Sequence, residues 1–85
     1  MITTQRVSGS DTVGVWLTYD TADGEYHPIL HAYRIVATAP ARVRVFMDGE
    51  LVEEMNLHPG ADVNVDLAGM GLLKERFRFE IGGGG

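Results

Sequence analysis

The chain is 85 residues long, which leaves room for one domain and one core that folds alone with a modest margin. Seven Lys and Arg against twelve Asp and Glu give a net charge of −5, so phosphate repulsion works against a polynucleotide partner. No cysteine staples the fold, and no apolar run approaches the roughly 20 residues that cross a bilayer.

Residues 1–12, MITTQRVSGSDT, are polar and β-tolerant and break at Ser8-Gly9-Ser10-Asp11. They carry no signal-peptide core. They read as a short edge strand or as an extended arm that lies along a neighbouring subunit's sheet. Val13 to Tyr19 is a strand, with Val15, Leu17 and Tyr19 on one face and Trp16 on the other. Asp20 to Gly24 holds a turn signal, because Asp-Gly suits positive φ. Ile29 to Thr38 is apolar on both faces, the mark of a central strand. Pro40 follows it and cannot donate to a ladder.

From Arg42 onward four strands follow in sequence: ARVRVFM, ELVEEMNL, DVNVDL and LLKERFRFEI. Side chains alternate faces in a strand. Val63, Val65 and Leu67 therefore oppose Asp62, Asn64 and Asp66, and Phe77, Phe79 and Ile81 oppose Arg76, Arg78 and Glu80. Val65, Phe77 and Phe79 are expected to be buried. Asp48-Gly49 predicts a two-residue hairpin that pairs Met47 with Glu50, Val45 with Val52 and Arg44 with Glu53. That register leaves Val43 facing Glu54. A bulge, an edge position or a covering partner would each account for it.

The predicted fold is all-β: a single domain over 1–85, a small β-sandwich or flattened barrel of six to seven mostly antiparallel strands. Residues 82–85 form a glycine tail that would fit where a neighbour's backbone comes too close for a side chain.

Catalytic chemistry finds little support. His27 and His31 are four apart, but Pro28 lies between them in a β context, so helical ligand spacing does not apply. His58 sits in a turn. A cupin-like metal site would need these three to converge. Ser8 and Ser10 lack the strand–turn–helix frame of a nucleophile elbow. No cofactor, metal or catalytic residue is expected.

Contact residues are better represented. Phe46 shares a strand face with Arg42 and Arg44, beside Leu51 across the hairpin. An aromatic ring among arginines has the composition of an interface patch. The partners available to the arginines within the chain are Glu53, Asp62 and Asp66. Met70, between two glycines, either plugs a neighbour's pocket or caps the sandwich. Trp16, Tyr26, Tyr33 and Phe46 form either a platform for stacking sugars or an interface anchor, unless Trp16 and Tyr33 are core.

The chain resembles the small accessory β-proteins of tailed-phage particles, the decoration or cement proteins that clamp capsid subunits. The likeness lies in a short, cysteine-free, acidic sandwich with an arm-like start (ITTQRVSGSDT) and a glycine finish (FRFEIGGGG). It implies a protein without catalytic residues that binds protein surfaces as a symmetric oligomer in a virion. A carbohydrate-binding module is the alternative, and a cupin-like metal protein the second.

Overall fold

A computed structural model of the chain describes residues 1–21 and 27–83. It contains seven strands: β1 (Ile2–Gly9), β2 (Val13–Asp20), β3 (Ile29–Ala37), β4 (Ala41–Met47), β5 (Glu50–Leu57), β6 (Asp62–Asp66) and β7 (Phe77–Gly83). They form a four-stranded sheet in the order β1-β2-β3-β6 and a three-stranded sheet in the order β5-β4-β7. Every pairing is antiparallel. The all-β class is as predicted, and β3 lies between β2 and β6 as its two-sided apolar pattern requires.

The strands after Arg42 do not stay together. β6 returns to the first sheet beside β3, and β7 goes back to the second beside β4. Alternation fixes which face of a strand is dry but says nothing of which layer it joins. The last predicted strand is also divided. Leu73 makes an isolated bridge to Ile29, Lys74–Arg76 form one 3₁₀ turn, and only Phe77 onward is strand. Lys74 N–H still donates to the Pro28 carbonyl at 2.8 Å, so the crossover leaves the first sheet only at its final turn.

The core lies between the sheets. Val15, Leu30, Ile35, Val43 and Val45 are fully buried, with Leu17, Tyr33, Ala37 and Leu57 beside them. Val65, Phe77 and Phe79 pack against this cluster but are only half-buried, which corrects the expectation of full burial. β6 and β7 are sheet edges, so solvent reaches their inner residues from the side.

The register of β5 is resolved by a bulge at an edge. Met47 pairs with Glu50 and Phe46 with Leu51, and the pairing then shifts so that Val45 meets Glu53, Arg44 meets Glu54 and Val43 meets Met55. An unbroken register would have turned Glu54 and Asn56 inward, since a one-residue slip exchanges the two faces. The extra residue, Val52, instead brings Met55 and Leu57 to the inner face. The hairpin itself is as predicted. Asp48 and Gly49 have φ of 55° and 80°, the two left-handed residues of a tight turn.

β1 hydrogen-bonds to β2 along its length, apart from a bulge at Val7. The first segment is thus an edge strand of its own sheet, and the reading of it as an arm on a neighbour is set aside. Gly82 and Gly83 close β7 opposite Arg42 and Ala41. A side chain at Gly82 would meet only the Arg42 carbonyl, at 3.9 Å, so nothing among the described residues requires glycine there. Gly84, Gly85, Tyr26 and most of the predicted Asp20–Gly24 turn lie outside the described residues.

Candidate functional site

Alternation along β4 sends Val43 and Val45 into the core and Arg42, Arg44 and Phe46 to the outer face of the three-stranded sheet. Pairing then sets neighbours on that face in three rows: Asn56, Arg42 and Gly82; Glu54, Arg44 and Glu80; Leu51, Phe46 and Arg78. The structure thus brings together four of the six predicted contact residues, Arg42, Arg44, Phe46 and Leu51.

Their side chains are held in an ordered arrangement. Arg44 Nε donates to Glu54 Oε2 at 2.7 Å. The bulge makes this the partner of Arg44, in place of the predicted Glu53. The Arg78 guanidinium stacks over the Phe46 ring at 4.5 Å from its centroid and lies 3.2 Å from Glu80. Such a cation–π contact is worth about 0.5–1 kcal/mol at an exposed site. Arg42 is different. Its Nε reaches Asn56 Oδ1 at 3.3 Å, and among the described residues no carboxylate comes within ion-pair distance of it. Beside it the bare backbone of Gly82 leaves a shallow depression of about 230 Å³.

The apolar part of this face is Phe46 paired with Leu51, and Leu51 and the bulge residue Val52 that follows it are 47% and 48% exposed. Val52 escaped the sequence reading because its position depends on the bulge. Arg78 escaped as the partner of Phe46 because only the β4–β7 pairing sets them side by side.

Trp16 and Met70 are elsewhere. Met70 is exposed on the turn after β6, between Gly69 and Gly71. Trp16 lies on the outer face of the four-stranded sheet and belongs neither to the core nor to a bare platform. Its ring covers Gly14, where an added Cβ would come within 2.5 Å of Cη2. The Arg6 guanidinium stands 5.7 Å from the ring centroid and donates to the Ser10 carbonyl at 2.7 Å. Tyr33 is core, as one of its two readings had it.

The sandwich is open along both sides. One opening, of about 430 Å³, lies between β5 and β6 and is lined by Tyr33, Met55, Leu57, Val63 and Val65, with Glu53 pointing in. Burial, with a smaller contribution from Glu53, pushes the Tyr33 phenol up. The other opening separates β1 from β7 and exposes Phe77 and Phe79 beside Val7. His27 Nδ1 lies 3.0 Å from Glu75, and no group of three His, Cys, Asp or Glu that could hold a metal forms among the described residues.

Two further arginines each grip a carboxylate 28 residues away in sequence. Arg34 Nε donates to Asp62 Oδ1 at 2.9 Å, and Arg76 Nε donates to both oxygens of Asp48 at 3.0 Å. Hydrogen bonding from the guanidinium holds both carboxyls below their ordinary value. A depressed folded pKa means stabilisation that is present above the unfolded value of about 3.9 and lost as pH falls through the folded one. The Arg34→Gln/Arg76→Gln variant should therefore be less stable at neutral pH and lose less on acidification than the parent. Thermal melts between about pH 6 and pH 2 measure it, and parallel curves for the two proteins would remove these pairs from the account.

No protein-family model matches the chain, and neither a curated protein nor a solved structure is found to be similar to it.

Proposed function

We propose that this protein is a non-catalytic interaction module that binds neighbouring protein subunits of a larger assembly. The outer face of β5-β4-β7 is its contact surface. One observation carries the reading: exposed Leu51, with the exposed bulge residue Val52 next to it in the chain, pairs with the partly buried Phe46 on a face bordered by Arg42, Arg44 and Arg78. Aromatic and arginine side chains are enriched at protein interfaces, and here the stacking of Arg78 on Phe46 pre-orders them, which lowers the entropic cost of binding. The Arg42 guanidinium, without a carboxylate at ion-pair distance among the described residues, supplies a charge ready for a partner's carboxylate. In terms of the resemblance drawn from the sequence, this is the work of a virion decoration or cement protein.

The test compares the parent with Leu51→Asp and Arg42→Glu in the native extract, separated by size. The parent is expected in a fraction far heavier than its own 9.3 kDa, with both variants folded but displaced to the free pool. Recovery of the parent only as free chain or small oligomer would overturn the assembly role. Heavy-fraction variants would move the surface elsewhere.

A further inference from the structure

A two-sheet sandwich of four and three strands has four free edges, here β1, β6, β5 and β7. Exposed edges invite pairing with another chain, and proteins blunt them with bulges, inward charges, short strands and like charge. Three of the four are blunted in this way. β1 is bulged at Val7 and turns the polar Thr3 and Gln5 to the same side as Tyr19 and Leu17, which face the core. β5 is bulged at Val52, carries Glu50, Glu53 and Glu54, and points Glu53 into the opening beside Tyr33. β6 has only five residues with an aspartate at each end, so antiparallel pairing with itself would set Asp62 against Asp66.

β7 has none of these devices. Its register with β4 runs unbroken from Phe77 to Gly83. It contains no proline, and its sequence, FRFEIGG, is complementary to itself. Antiparallel pairing about Phe79 sets Phe79 opposite its own copy, Phe77 opposite Ile81 and Arg78 opposite Glu80, each of the last two twice. The apolar pairs fall on the inner face and the charge pairs on the outer face. Phe77 and Phe79 are the residues left half-exposed by the opening between β1 and β7.

We propose that β7 pairs antiparallel with β7 of a second copy of this chain, in the register that opposes Arg78 to Glu80, to give a continuous six-stranded sheet β5-β4-β7-β7-β4-β5. Main-chain hydrogen bonds across the seam satisfy both edges, and the charge pairs fix the register. This two-fold contact deepens the assembly reading by naming one partner, and it rests on the free edge of β7 rather than on Leu51 and Arg42, with Arg78 shared by both, and needs no other protein. Either can fail alone.

Sedimentation equilibrium of the purified chain over a concentration series reads the result. The parent is expected to reach twice the 9.3 kDa chain mass. Arg78→Glu sets like charges opposite one another twice, as does Glu80→Arg, and each should weaken the dimer by about tenfold or more. The Arg78→Glu/Glu80→Arg double variant restores both pairs and should dimerise again, and so should an equimolar mixture of the two single variants. Both side chains face solvent, so circular dichroism should stay unchanged. A parent that remains at chain mass at every concentration would overturn the proposal. So would single variants that dimerise as the parent does, or a mixture that fails to recover.

Discussion

Ile35→Ala is expected to cost about 3–4 kcal/mol, lowering the Tm by roughly 12–30 °C for a domain of this size. Ile35 is fully buried at the centre of the four-stranded sheet, paired with Val15 on one side and Val63 on the other. Truncation there removes a transfer contribution and leaves a cavity that neighbours on both flanks are too constrained to fill. Total stability is about 5–15 kcal/mol for folded domains, so the loss is a large share. Phe79→Ala removes more atoms but from a site only partly buried at an edge that is open in the single chain, and about 2 kcal/mol is expected for the dilute monomer. The order of the two is the informative result. Thermal or urea melts that found Phe79→Ala the more damaging would mean that β7 is covered far more deeply than its place at the sheet edge implies.

Gly14→Ala should be nearly as damaging, for a reason that composition hides. Gly14 is buried in β2 because the Trp16 ring lies over it, and a methyl group there would sit 2.5 Å from one ring carbon and 2.6 Å from another. The ring must swing away, leaving Arg6 without its aromatic neighbour and opening the turn that Arg6 ties through the carbonyls of Ser10 and Val13. Overpacking of this kind costs about 1–3 kcal/mol. Trp16 is the one tryptophan, so its fluorescence reports the event directly. A red-shifted emission with a lowered Tm is expected. Unchanged emission would show that the ring does not rest on Gly14.

How far the sequence could be read follows from which forces are local. Alternation in β4, β6 and β7 gave the dry faces correctly, and the Asp48-Gly49 turn set the hairpin because both residues must take positive φ. The two-sided apolar pattern of β3 marked it as central. The choice of layer for β6 and β7 was not legible, since neither pattern nor turn chemistry distinguishes a return to the first sheet from an added strand in the second. The inserted residue at Val52 was visible only as a conflict, Val43 against Glu54. Its resolution depends on the gain from turning Met55 and Leu57 inward. On the proposed contact face, Arg42, Arg44, Phe46 and Leu51 could be placed together from parity on one hairpin. Arg78 could not, because its contact with Phe46 requires the long-range β4–β7 pairing. Alternation put Trp16 on the outer face, but its packing over Gly14 was not legible. Large aromatic residues are usually core, and only the neighbouring glycine, two positions earlier on the same face, hinted at another use.

The proposed assembly surface is tested most directly by crosslinking from single introduced cysteines, which in a cysteine-free chain report without background. One reactive group belongs at Val52, exposed at the β5 bulge beside Leu51, and a control at Asn64, outward-facing on β6 of the opposite sheet. In the native assembly, a photocrosslinker at Val52→Cys is predicted to join the chain to a neighbouring subunit in high yield, and the same group at Asn64→Cys to stay largely unreacted. Crosslinks from Asn64→Cys with none from Val52→Cys would contradict the account, because the partner would then sit on the four-stranded sheet.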